Sequence, residues 1–167
     1  IITTSSIRIN RTLNKHIKKK PYKVTLNHAF SEVIDLCADA PFRTDETWIV
    51  DDMIQAYQNL HDNGLAHSIE VWDGDDLVGG LYGVAINGFF SGESMFYKKS
   101  NASKFALIAL SEHLKTAGIS MIDCQITNPF LEDMGCIELS RSEFIDMQKK
   151  HVDIMIPDGF WLPKELI

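Results

Sequence analysis

The chain has 167 residues, 45% of them hydrophobic and 23% charged, and a formal net charge of −7. That is enough apolar mass for one sizeable core with at most a small appendage, and the sequence shows neither a bilayer-length apolar run nor a signal-peptide pattern. Three cysteines (Cys37, Cys124, Cys136) without CxxC spacing argue against a disulfide framework or a zinc site and point to the cytoplasm.

In chain order, residues 1–6 read as a tail and Ile7–Asn10 as a short strand. The chain starts at Ile1 rather than Met, so a removed or unseen leader is expected. Thr12–Lys20 is a basic helix stopped by Pro21, and Tyr22–Leu26 a strand. Arg8, Arg11, Lys15, Lys18, Lys19, Lys20 and Lys23 precede the first acid, Glu32, so residues 1–31 carry +7 and the rest −14. A basic arm on an acidic body suits nucleic acid held by the arm alone, although a solvated basic helix would look the same.

Asn27 is placed to cap an amphipathic helix carrying Phe30, Val33, Ile34 and Cys37, and Pro41–Thr47 reads as a loop. Asp51 or Asp52 caps a helix whose Ile54, Tyr57 and Leu60 share a face, and Gly64 ends it. Ala66–Trp72 is a strand, turned at Asp73-Gly74 into Leu77–Ile86. The glycines of that second strand, Gly79, Gly80 and Gly83, leave room for close approach of another backbone or a ligand. Asn87-Gly88 turns the chain again into Phe89–Phe96.

Asn101 or Ser103 caps a helix over Ala102–Ala117 that is apolar almost all round, hence buried, and Gly118 closes it. Met121–Gln125 resumes extended structure, so the helix is a crossover between parallel strands. Asn128-Pro129 opens a loop and a short helix, Cys136–Leu139 reads as a last strand, and Glu143–Lys150 as a helix. An irregular C-terminus carries Trp161. Helices, a meander, a buried crossover helix and further strand make an α+β domain with a mixed sheet.

Polar groups inside the apolar central block mark the candidate site. Glu93 stands in a strand of Phe, Gly and Met, and a carboxylate there is costly unless paired or used. Asp123 and Gln125, two apart on a strand, point to one face, with Cys124 between them facing the core. The histidines show no metal-ligand spacing, and His61 and His67 read as structural.

AHSIEVWDGDDLVGGLYG, FFSGESMF, NASKFAL and IDCQ, in this order and spacing, resemble the bacterial leucyl/phenylalanyl-tRNA–protein transferases. CADAPFRTDETWI and MIQAYQNLHDNG before the block, and NPFLEDMGCIEL, the Arg141 region and FWLPKEL after it, extend the resemblance over nearly the whole chain. It implies a GNAT-like mixed sheet with flanking helices over residues 25–167. Residues 1–24 are then a basic arm, the remnant of a smaller N-terminal part whose aromatic-rich segment is missing here.

The implied reaction moves leucine, and also phenylalanine, from aminoacyl-tRNA to the N-terminal Arg or Lys of an acceptor protein, marking it for N-degron proteolysis. It needs no cofactor, and a monomer is expected. By resemblance, Leu81, Met95, Leu107, Leu110, Leu114 and Ile122 line an apolar slot for the transferred side chain. Glu93 faces the acceptor, Asp123 and Gln125 form the catalytic pair, and Asn128 holds acceptor backbone. Trp48 stacks on the terminal adenosine, and Arg11, Lys15, Lys18, Lys19 and Lys20 contact the tRNA.

Two departures bear on acceptor preference: Phe130 stands where the family usually has His, and Asp133 where it has Ser nearby. A coenzyme A-dependent GNAT-type N-acyltransferase would need a glycine-rich phosphate loop before the crossover helix, and Lys98–Lys104 has no glycine. A non-catalytic tRNA or N-degron binding module would need no acidic pair.

Overall fold

The middle of the chain folds as an antiparallel meander because two tight turns separate three runs of β-branched and aromatic residues. In the computed structural model, which describes residues 1–39 and 47–167, these are β3 (Ala66–Asp73), β4 (Asp76–Ile86) and β5 (Phe89–Tyr97). The first turn has Gly74 at φ 62° and the second has Asn87 at φ 50°, the left-handed geometry that two-residue hairpins require. A buried helix, α4 (Ala102–Lys115), then crosses back to β6 (Met121–Asp123), which pairs parallel with β5.

Before the meander come β1 (Ile2–Thr3), α1 (Arg11–Lys18), β2 (Lys23–Leu26), α2 (Phe30–Ala38) and α3 (Asp51–Asp62). After β6 come α5 (Pro129–Asp133), α6 (Arg141–Val152) and β7 (Lys164–Glu165). The described strands form one mixed sheet in the order β1-β6-β5-β4-β3-β2-β7, antiparallel except at β5–β6. This is the α+β, GNAT-like architecture expected from the sequence.

Alternation along β4 feeds two cores. Val78, Leu81 and Ala85 pack with α4 on one face, while Leu77 and Tyr82 pack with α2 on the other. Gly79 is where α4 starts against the sheet: a Cβ there would lie 2.5 Å from that of Ala102.

Several local expectations are corrected. Residues 1–6 are no tail, because Ile1 and Ile2 are buried and Ile2 pairs with Ile122 in β1–β6. Two adjacent isoleucines cover an edge that β6 would otherwise leave bare. Ile7–Asn10 forms no strand. Cys136–Leu139 forms none either, although Ile137 exchanges both backbone hydrogen bonds with Ile1. The C-terminus is less irregular than expected: β7 pairs with β2, and Trp161 stacks on His67 at 4.0 Å between ring centroids.

The caps differ too. Asn27 sits at φ 56° and bonds Ser68 and Trp161, so it leaves α2 uncapped. Asp51 and Asp52 lie inside the first turn of α3, behind Val50. Asn101 precedes α4 in the left-handed region without a side-chain cap, and Ser103 is inside the helix. Of the loop expected over Pro41–Thr47, all but Thr47 lies outside the described residues.

Candidate active site

β6 stops at Asp123 while β5 runs on past it, and a cleft opens where the pair parts. On β5 the register slips: Gly83 faces Gly92 and Tyr82 faces Ser94, so Glu93 is the extra residue of a β-bulge. The bulge turns Glu93 into the cleft instead of leaving it in strict alternation with its neighbours. The cleft measures about 270 Å³. Leu81, Met95, Leu107, Leu110 and Ile122 line its apolar part, and Glu93, Asp123 and Asn128 its polar part. Leu114, assigned to the same wall, is not among the lining residues; it is 0% exposed within the core. One helical turn beyond Leu110, it packs into the core.

Glu93 is half-buried, and its Oε2 accepts a hydrogen bond from the Tyr57 hydroxyl at 2.9 Å. Burial, and then the Glu93 carboxylate, push the Tyr57 hydroxyl well above its ordinary range, so it stays a donor. Tyr57 in turn stands edge-on to Tyr82 at 5.1 Å and to Trp48 at 6.4 Å. Trp48 itself is 47% exposed, a flat apolar surface next to the carboxylate's only donor among the described residues. In the sequence Tyr57 is one apolar position on a helix face. A tyrosine at the cleft end of that face was the one available signal of its hydroxyl's role.

Asp123 accepts the Gln125 backbone N–H on Oδ1 at 2.9 Å. The short side-chain-to-backbone turn bends the chain out of the strand, and Gln125 takes φ 60°. Gln125 is therefore not on β6 beside Asp123, as its spacing suggested; its Nε2 donates to Ser91 at 3.3 Å and it faces a second cleft. Asn128 caps α5 by accepting from Leu131 N–H. Cys124 is half-buried and lines both clefts instead of packing wholly into the core. Burial, then its neighbour Cys136, pushes its thiol up to about 12, which leaves it no thiolate to act as nucleophile near neutral pH.

The family model described as leucyl/phenylalanyl-tRNA protein transferase matches residues 1–149. A leucyl/phenylalanyl-tRNA–protein transferase of Colwellia psychrerythraea is 61% identical over 171 residues, covering 99% of this chain and 71% of the relative. Enzymes of the same name from Pseudoalteromonas atlantica and Shewanella putrefaciens are 47% and 44% identical over 99% of the chain, covering 71% and 70% of theirs. The chain belongs to the leucyl/phenylalanyl-tRNA–protein transferase family.

For a member of that family the loop before α4 is informative. The N–H groups of Lys98 and Lys99 are spent on Val78, that of Ala102 on Lys99, and the Lys99 ammonium pairs with Asp73. Two of the loop's N–H groups are thus turned to β4 instead of outward, and the run has no glycine to fold the others into a close nest for a pyrophosphate. On α1, Arg11, Lys15 and Lys18 are exposed, as are Lys19 and Lys20 beyond it, and none is in an ion pair among the described residues. Leu13 is buried, and His16 meets Tyr22 and Phe105 edge-on, so the helix carrying these charges is anchored on the domain. Among the described residues no helix is long and apolar enough to cross a membrane.

Proposed function

We propose that this chain transfers leucine, and also phenylalanine, from aminoacyl-tRNA to the N-terminal amino group of proteins beginning with Arg or Lys. Proteins so marked would enter N-degron proteolysis, and the enzyme would act in the cytoplasm as a monomer. One observation carries the reading: an apolar slot ends at two carboxylates, Glu93 and Asp123, in a cleft of one-side-chain scale. Relatives at high identity bear the name of that reaction.

The aminoacyl ester is already activated, and an α-amino group with a pKa of roughly 8 is partly neutral at pH 7. The amine attacks the ester carbonyl, an amide forms, and the ribose hydroxyl of the terminal adenosine leaves. Catalysis then consists of placing two substrates and handling one proton. Leu81, Leu107, Leu110 and Ile122 hold the donor side chain; such a slot separates neighbouring aliphatic chains by only about 1 to 3 kcal/mol per methylene. Glu93 pairs with the acceptor's basic side chain. Asp123 receives hydrogen bonds from the incoming amine and stabilises the charge it gains; Gln125, a neutral amide, orients and does not act as base. Trp48 stacks on the adenine, worth about 1 to 3 kcal/mol, and the Arg11–Lys20 charges follow acceptor-stem phosphates.

The experiment is transfer of labelled leucine from Leu-tRNA to an Arg-starting peptide, with an Ala-starting peptide as control. The expected result is label in the Arg-peptide alone. No transfer, combined with acetyl-coenzyme A binding by calorimetry, would move the chain to the acetyltransferase reading.

A further inference from the structure

A second, larger cleft of about 590 Å³ adjoins the slot. The two share Asp123, Cys124 and Ile126, so the end of β6 is the wall between them. In sheet order they lie on different sides of that wall. Trp48 and Tyr57 stand by Glu93 on β5 and Tyr82 on β4, whereas the second cleft reaches toward β1, taking in Ile1, Ile137 and Phe144. Its lip exposes large apolar side chains to water: Ile126 is 79% exposed and Ile137 47%. Ile137 is held in place by its backbone bonds to Ile1, and the Ile126 N–H bonds the Cys124 carbonyl at 2.6 Å, so neither projects from a free end.

We propose that this cleft holds the acceptor chain beyond its first residue, and that Ile126 and Ile137 select a large apolar side chain at acceptor position two or three. The inference rests on the aminoacyl-transfer reading. If the amine attacks beside Asp123 with its basic side chain at Glu93, the remaining acceptor must leave over the shared wall. The tRNA occupies the Trp48 side, and this cleft continues from Asp123 on the other side. An extended chain advances about 3.3 Å per residue, so the next two or three residues reach the lip. There an apolar side chain removes its own surface and that of two isoleucines from water.

The test measures kcat/KM for Arg-Xaa peptides with labelled Leu-tRNA, placing Leu, Phe, Ser or Asp at positions two and three. A preference of about tenfold for Leu or Phe over Ser at one of these positions is expected. Ile137→Ser, an exposed change outside the slot, should cut that preference to about threefold by raising the peptide KM, with kcat and the Leu-tRNA KM unchanged. Equal kcat/KM across the series overturns the proposal. A rise in the Leu-tRNA KM in Ile137→Ser also overturns it, because the cleft would then hold nucleic acid. Absence of transfer to every peptide overturns the parent reading instead, and this one with it.

Discussion

Glu70 and Glu93 are both glutamates in strands of one sheet, separated by β4, and the fold treats them in opposite ways. Glu70 is 0% exposed. Its carboxylate accepts from the hydroxyls of Thr25 and Ser68, each at 2.5 Å, and from the N–H groups of His28 and Ala29 at the start of α2. Burial raises its pKa, and those four donors oppose the rise. Glu93 has a single described donor, Tyr57, and an open cleft in front of it. A carboxylate whose acceptor sites are all filled belongs to the scaffold. One that keeps lone pairs turned to a cavity has capacity for a ligand.

Removing the two carboxylates should therefore do different things, and the larger effect belongs to the scaffold. Glu70→Ala orphans two buried hydroxyls and two N–H groups, so unfolding free energy should fall by about 3 kcal/mol. Urea titration measures it, and a loss below about 1 kcal/mol would break the contrast. Next, Glu93→Gln should lower kcat/KM for Arg-peptides about 30-fold, roughly the 2 kcal/mol of a charge-assisted pair. Its stability should stay within about 0.5 kcal/mol of the parent. Equal transfer to Arg- and Ala-starting peptides in the unmodified protein would remove Glu93 from acceptor selection.

Tyr57→Phe sharpens the comparison at smaller amplitude. It deletes the one donor on Glu93 among the described residues while keeping the ring beside Trp48, and about a fivefold loss in kcat/KM is expected, near 1 kcal/mol. An unchanged Leu-tRNA KM would place the loss on the carboxylate and not on the aromatic surface.

The smallest effect is one of pH, at two buried histidines that do not line the cleft. Burial lowers His67 to about 3 and His113 to about 4, from 6.5. Between those values and 6.5 the unfolded chain binds protons that the folded chain refuses, so stability is full above pH 6.5 and drains away as the pH falls toward 4 and then 3. From pH 7 to pH 6 the loss should be under about 1 kcal/mol per histidine. His67→Phe, which keeps a ring against Trp161, should flatten part of that slope in chemical denaturation.

The meander, the crossover helix and both hairpin turns are legible from residue order, because turn chemistry and alternation are local properties. So is the helical stripe of Leu107 and Leu110, and the suspicion that a glutamate among Phe, Gly and Met needs a reason. By itself the sequence settled the element types of the central block from Ala66 to Asp123, the α+β class and the set of polar residues worth attention. Tertiary structure alone decided which of them meet. It placed Glu93 on a bulge because β4 and β5 pair with one residue to spare, and turned Gln125 off the strand because Asp123 captures its N–H. It also brought Tyr57 from α3 to a carboxylate 36 residues away, and seated Ile1 and Ile2 against β6. Pairing register, side-chain capture and long-range burial depend on what stands opposite a residue in space, and that partner lies outside any local window of the chain.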